Sequence, residues 1–167
     1  MRRADRLFRI VEHPWFQRLR RIQQLGLGSL VYPGAIHTRF QHALGAMHLM
    51  QKALDVLRSK GHAIAAGEYN AACAAILLHD IGHGPFSHAL EHMLARGLHH
   101  EQLSLAFLKA LPEELGGDTT ELLEEAEAIF TGTHPRPFLH ELVSSQLDVD
   151  RLDYLTRDTY FTGVHEG

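Results

Sequence analysis

The sequence predicts an all-α domain, on three observations. No segment sustains the apolar/polar alternation of a half-buried strand. Apolar residues recur instead at helical spacing between capping residues, glycines and prolines. Residues 71–78, AACAAILL, are apolar on every side and contain four alanines, which marks a helix enclosed by other helices rather than a short buried strand. A single domain over residues 1–167 with about six or seven helices is expected.

The elements follow in order. Pro14 after His13 suits the first position of a helix, and Trp15, Leu19, Ile22 and Leu25 carry it at helical spacing to Gly26. Residues 30–34 read as an extended connector closed by Pro33 and Gly34. His37 or Thr38 then begins a long helix reaching Gly61. Its polar face holds Gln41, His48, Gln51, Lys52 and Asp55, and its apolar face holds Leu44, Met47, Met50, Leu54 and Val56. His42 falls on the apolar side and His48 among the polar residues, so only His42 is expected to point inward. Residues 68–81 form the central helix. Pro85 starts another that ends before Gly97, and residues 99–111 give a further helix with Pro112 as its stop. Asp118 or Thr119 caps a helix running to about Phe130, and a final helix or pair covers residues 138–160.

Composition narrows the function. The net charge of −4 and pI near 6.4 argue against nucleic-acid binding, and the N-terminal arginines, among them Arg9, Arg18 and Arg20, are expected to be mostly solvated. There is no run of about 18 apolar residues and no signal-peptide pattern, so no membrane association and a cytoplasmic location are expected. Cys73, inside the apolar run, reads as a small buried hydrophobe. Histidine is in excess: there are 14, nearly matching the 16 lysines and arginines, which points toward a metal or phosphate site.

His79 and Asp80 close the apolar central helix. A helix C-terminus carries about half a negative charge, so an aspartate there needs a positive neighbour, and a bound cation would serve. The candidate ligands are His42, His79, Asp80 and one carboxylate from residues 148–153. Asp150, Tyr154 and Asp158 share one helical stripe, whereas Asp153 and Arg157 make an i, i+4 ion pair on a neighbouring face, so Asp150 is the better inward candidate. Taken singly, His42 reads as a satisfied core histidine and residues 148–158 as a salt-bridged surface helix. Taken together, two imidazoles and two carboxylates suit Mn, Fe, Zn, Ni or Co, with Mg less natural because it prefers oxygen ligands. Four protein ligands leave open positions for a water or a phosphoryl oxygen.

The strings RFQH at 39–42, HDIGHGPFSH at 79–88, HEQ at 100–102 and DVDRLDYLTRD at 148–158 resemble, in order and spacing, the motifs of the HD-domain metal-dependent phosphohydrolases. More narrowly they are similar to the deoxynucleoside triphosphate triphosphohydrolase branch, over nearly the whole chain. The resemblance implies an HD-domain helical bundle around a buried metal site, with His42, His79, Asp80 and Asp150 as ligands of a divalent transition metal ion. It implies catalytic roles for His83, Glu91 and His100, with Glu91 orienting one of the histidines. It places Arg39, His88 and Arg151 on the triphosphate, and Gln24, Leu25, Tyr154 and Asp158 around the sugar, where the Tyr154 ring crowds the 2′ position. An animal member of the branch has aspartate at the position of Glu91 and lysine at that of Arg151. His92, His99, His134 and His140 match no role and are expected at the surface.

The implied reaction cleaves a dNTP to deoxynucleoside and inorganic triphosphate. Alternatives are a nucleotidase or phosphodiesterase of the same superfamily, or a metal-binding regulatory domain without turnover. The family's enzymes are longer, with C-terminal portions that complete the nucleotide pocket and build oligomeric surfaces. Residues 1–167 are therefore expected to be the N-terminal catalytic part of such an architecture, and a homo-oligomer is expected.

Overall fold

In the computed structural model, which describes residues 3–86 and 99–164, the apolar run forms a helix buried on all sides. Eight α-helices are present among the described residues: α1 (Arg3–Glu12), α2 (Pro14–Gln17), α3 (Arg39–Ser59), α4 (Ala66–Leu78), α5 (His100–Leu115), α6 (Thr120–Phe130), α7 (Pro137–Val143) and α8 (Val149–Thr162). The only β pairing among those residues is an isolated bridge between Gln23 and Thr38. Among the described residues no helix is long and apolar enough to cross a membrane. The helix expected from Pro85 to before Gly97 lies outside the described residues.

The fold is built outward from α4. Every side chain from Asn70 to Leu78 is buried, and the alanines let α3 and α6 approach it closely. Ile10, Phe16, Leu19, Met50, Leu54 and Leu123 complete the core around it. Burying a leucine- or isoleucine-sized side chain stabilises by about 1.5–3 kcal/mol, so this centre holds the bundle together. The free thiol of Cys73 sits here, and burial pushes its pKa up to about 12.

α3 starts where the sequence indicates. The Thr38 side chain accepts from the Gln41 backbone N–H (3.4 Å), and Gln41 Oε1 accepts from the Thr38 N–H (2.8 Å), a reciprocal capping box. His42 is fully buried and His48 exposed, as the helical arcs require. Val56, assigned to the apolar arc, is half exposed near the helix end, where the bundle no longer covers it.

Three local expectations are corrected. The helix beginning at Pro14 lasts one turn, tightens into a 3-10 turn at Arg18–Arg21, and becomes extended at Ile22. Pairing with the start of α3 overrides helical propensity there: Gln24 N–H donates to His37 O (3.0 Å) and Arg39 N–H to Ile22 O (2.9 Å). The connector after it is not extended, because Gly28–Leu30 form another 3-10 turn. Pro112 does not stop α5, which runs one further turn to Leu115. A proline this near a C-terminus forfeits only one backbone hydrogen bond, and buried Leu108 and Leu111 hold the turn in place until Gly116, at φ 60°, ends it.

The N-terminal arginines are not simply solvated either. Arg18 donates to the backbone carbonyl oxygens of Ile81 and His83 (2.8 Å for the latter), neutralising the carbonyl end beyond α4. Arg20 stacks over the Phe40 ring at 3.6 Å, and Arg9 pairs with Asp118 at 3.2 Å.

Candidate metal centre and adjoining clefts

Three helices meet at one point. α3 contributes His42, the turn immediately after α4 contributes His79 and Asp80, and the first turn of α8 contributes Asp150. Asp148 fixes the start of α8 by accepting from the Arg151 N–H (2.8 Å), and Asp150 then sits at the positive end of the helix dipole, where a carboxylate is stabilised.

The donor atoms converge. His42 Nε2 lies 2.9 Å from Asp150 Oδ1, 3.4 Å from His79 Nε2 and 3.7 Å from Asp80 Oδ2. His79 Nε2 lies 3.3 Å from Asp150 Oδ1 and 3.5 Å from Asp80 Oδ1. The other ring nitrogen of each histidine is engaged: His79 Nδ1 is 2.6 Å from Ile76 O, and His42 Nδ1 is 2.8 Å from Asp153 Oδ2. A carbonyl or carboxylate oxygen only accepts, so the neutral rings carry their hydrogen on Nδ1 and turn the Nε2 lone pairs toward the shared space. This donor set fits a divalent cation.

The positive neighbour that Asp80 requires is present among the side chains. Arg39 Nη1 pairs with Asp80 Oδ2 in a nearly dry contact, and His83 Nε2 lies 3.4 Å from Oδ1. Burial works against the Asp80 anion, but His79, His83 and Arg39 outweigh it and hold its pKa well below the usual carboxylate range. Asp150 is depressed in the same way, its burial outweighed by His42 and His79. Burial likewise opposes the imidazolium forms of His42 and His79. The carboxylates win: Asp150 and Asp153 raise His42, and Asp80 with Asp150 push His79 up to about 9. His83 goes the other way. Its burial, aided by Arg39 and His100, overcomes Asp80 and pulls it down to about 4, so it is neutral at pH 7. The His83 and His100 rings stack at 4.0 Å, nearly parallel.

Gly82 makes that stack possible. A Cβ there would strike the backbone of His100 and Ser104, while its own N–H donates to Ser104 Oγ (2.9 Å), so α5 docks directly on the loop that follows α4.

Among the described residues, two clefts adjoin this centre. One, of about 240 Å3, passes Arg39, His83 and His100 and is lined further out by Gln24, Leu25, Tyr154 and Asp158. Gln24 Oε1 is buried and has no hydrogen-bond partner among the described residues. The other, of about 350 Å3, runs from His79 and His100 past Phe130, Ser144 and Ser145 to Arg151. Arg151 lines this second cleft and not the first, half exposed and with Nε 3.9 Å from Asp148. His140, expected at the surface, lines this second cleft with Nδ1 2.9 Å from Ile129 O. His134 is also largely covered, 3.6 Å from Glu125, whereas His99 is exposed. His88, Glu91 and His92 lie outside the described residues.

Two participants were not singled out by sequence. Asp153, on the face neighbouring Asp150, is also buried against His42, because α3 and α8 cross close enough for both carboxylates to point inward. His37 is fully buried, stacked on Phe161 at 4.6 Å, with Nε2 2.6 Å from Asp158 Oδ1. The i, i+3 spacing of Asp150 and Asp153 was a usable signal for the first. His37 had none, since its partner is 121 residues away.

The sequence pattern of the HD domain matches residues 39–158, which span all four convergent side chains. The chain belongs to the HD-domain phosphohydrolase superfamily. The HD-domain fold superimposes on the crystal structure of a phosphohydrolase from Bacteroides thetaiotaomicron with a TM-score of 0.90 and 55% identity, covering 96% of this chain and 39% of that one. It is 37% identical to the Bacillus subtilis protein YwfO over 91% of this chain and 35% of that protein. It is 33% identical to the deoxynucleoside triphosphate triphosphohydrolase SAMHD1 homolog of Dictyostelium discoideum over 95% of this chain and 34% of that protein. The chain thus spans between a third and two fifths of the length of these relatives. HD domains bind divalent metal ions, and His42, His79 and Asp80 form a group able to hold one.

Proposed function

We propose that this HD domain is a metal-dependent phosphohydrolase that cleaves dNTPs to deoxynucleoside and inorganic triphosphate. The observation that carries the reading is the cleft leading from the convergence of His42, His79, Asp80 and Asp150, past Arg39 and His83, to Gln24, Tyr154 and Asp158. The similarity to the Dictyostelium triphosphohydrolase homolog supports the choice of substrate.

When bound by His42, His79, Asp80 and Asp150, a divalent ion such as Mn, Fe, Zn, Ni or Co would neutralise phosphoryl charge and polarise a water. The chain's own residues do the rest. Arg39 brings a guanidinium to the phosphate beside the ion. His83, neutral at pH 7, relays a proton through its ring, and His100, stacked on it, protonates the leaving 5′ oxygen. Glu91 is assigned to orient one of these histidines, and His88 and Arg151 to the polyphosphate. Leu25 and the Tyr154 ring confine the sugar, while Gln24 Oε1 and the Asp158 carboxylate accept from its hydroxyl. Homo-oligomerisation is part of the proposal, supported by exposed apolar side chains such as Leu30, Val31 and Tyr160.

The test incubates the protein with dNTPs, rNTPs, nucleoside monophosphates and cyclic dinucleotides under Mn, Fe, Co, Ni, Zn and Mg in turn. Release of inorganic triphosphate from dNTPs supports the reading. Release of monophosphate or pyrophosphate instead would assign the site to a nucleotidase or phosphodiesterase, and absence of turnover with intact metal binding would assign it to a regulatory domain.

A further inference from the structure

We infer that Asp153, Arg157 and Gly45 form a device that positions His42, and that Asp153 is a positioning residue for the metal centre. The inference rests on the reading of His42 as a ligand and extends it to groups that touch neither ion nor substrate.

Three observations carry it. Asp153 Oδ2 lies 2.8 Å from His42 Nδ1, with the Asp153 side chain almost fully buried. Arg157 grips the same carboxylate with both ends of its fork, Nε to Oδ2 and Nη2 to Oδ1, each at 2.8 Å. Gly45, one turn beyond His42 on α3, is where the pair rests: a Cβ there would collide with Asp153 Oδ1 and Arg157 Nη2. Glycine inside a long helix is intrinsically unfavourable, so its presence requires a reason. The reason here is steric, because only a bare α3 backbone lets the carboxylate reach His42 from the side.

The consequence is a fixed tautomer and a fixed ring plane. A carboxylate can only accept from Nδ1–H, so the Nε2 lone pair is directed at the atoms of His79, Asp80 and Asp150. Arg157 cancels the Asp153 charge and restrains the carboxylate against rotation, so Asp153 orients His42 without itself competing for the cation. Such outer partners of ligating histidines typically govern affinity by about 10–100-fold.

The experiment prepares Asp153→Asn, Arg157→Lys and Gly45→Ala, with Asp150→Ala as reference, and titrates each with Co2+ and Mn2+ against a chromophoric chelator. The visible spectrum of the Co2+ form and the melting temperature with and without metal are recorded alongside. Asp153→Asn is expected to weaken metal binding by about 10–100-fold, to alter the Co2+ spectrum and to shrink the metal-induced rise in melting temperature. Asp153→Asn with wild-type affinity and spectrum, its melting temperature lowered equally with and without metal, would overturn the inference, because a merely structural ion pair behaves that way. Should Asp153→Asn not fold, Arg157→Lys decides: it keeps the charge and loses the fork, and unchanged affinity there overturns the inference equally. Equal metal uptake by wild type and Asp150→Ala would instead overturn the metal-centre reading itself.

Discussion

Arg39→Met removes the guanidinium from Asp80 while keeping a long apolar stem in the same space. In the wild type the two side chains are only 4% and 10% exposed, so neither charge can turn to solvent when its partner is lost. Breaking a buried pair from one side costs about 3–5 kcal/mol, because the remaining charge is stranded. Asp80 retains His79 at 3.5 Å and His83 at 3.4 Å, which places the cost near the lower end, about 3 kcal/mol. For a domain of this size each kcal/mol shifts the melting temperature by about 2–4 °C, so metal-free Arg39→Met should melt about 6–12 °C below metal-free wild type. Divalent metal should recover part of that difference, since a cation at the centre answers the same carboxylate. Differential scanning calorimetry on chelator-treated and metal-loaded protein reads both quantities. A metal-free variant melting within 2 °C of wild type, on the scale just derived, would refute the claim that Arg39 is what makes Asp80 tolerable. A deficit unchanged by metal would refute the claim that the ion shares Asp80.

Gly82→Ala should lower stability by about 1–3 kcal/mol and abolish turnover, because its Cβ would meet the backbone of His100 and Ser104 and force His100 away from His83; calorimetry and product release check the two effects. Chelation should lower the melting temperature by several degrees without erasing the transition, since the core around α4 is packed independently of the site and saturation at about 100-fold over Kd is worth only about 2.7 kcal/mol. Cys73, with its pKa pushed up to about 12 by burial, should resist Ellman's reagent at pH 8 in the folded protein and react fully once urea unfolds it; rapid labelling of the native form would contradict the burial. His37→Gln should raise KM for dNTPs by about tenfold with a smaller effect on kcat, because Asp158 loses a 2.6 Å partner at the far end of the cleft from the metal centre.

What could be read from sequence was whatever one helix decides by itself. The start of α3 at Thr38, the inward turn of His42 against the outward turn of His48, and the all-round burial of α4 follow from periodicity and capping, which involve near neighbours only. The failures share a different cause. The helix from Pro14 gives way because residues 22–24 pair with residues 37–39, and α5 passes Pro112 because Leu108 and Leu111 are held by other helices. Asp153 ranks below Asp150 as an inward candidate because of its i, i+4 partner Arg157, and the ion pair does form at 2.8 Å, yet α3 covers it. His37 was noticed only as a helix boundary, its role resting on α8. In each case a long-range contact outweighs a local preference, about 3 kcal/mol for the proline and about a kcal/mol or less elsewhere.

The same contacts explain why the centre suits an anionic substrate. Asp153 and Arg157 cancel one another and add no charge. A divalent ion would cancel Asp80 and Asp150. Arg39 adds a positive charge that is buried beside this site and lines the cleft leading to Tyr154 and Asp158. Were Arg39 absent, the described side chains at the centre would offer phosphate one positive charge fewer. Were Asp80 left to the ion alone, Arg39 would lose the carboxylate it pairs with in this structure. The Arg39–Asp80 pair therefore stabilises the fold and biases the cleft toward phosphate through a single contact. This is why, on this reading, a helix that should avoid an acid at its C-terminal end carries Asp80 there.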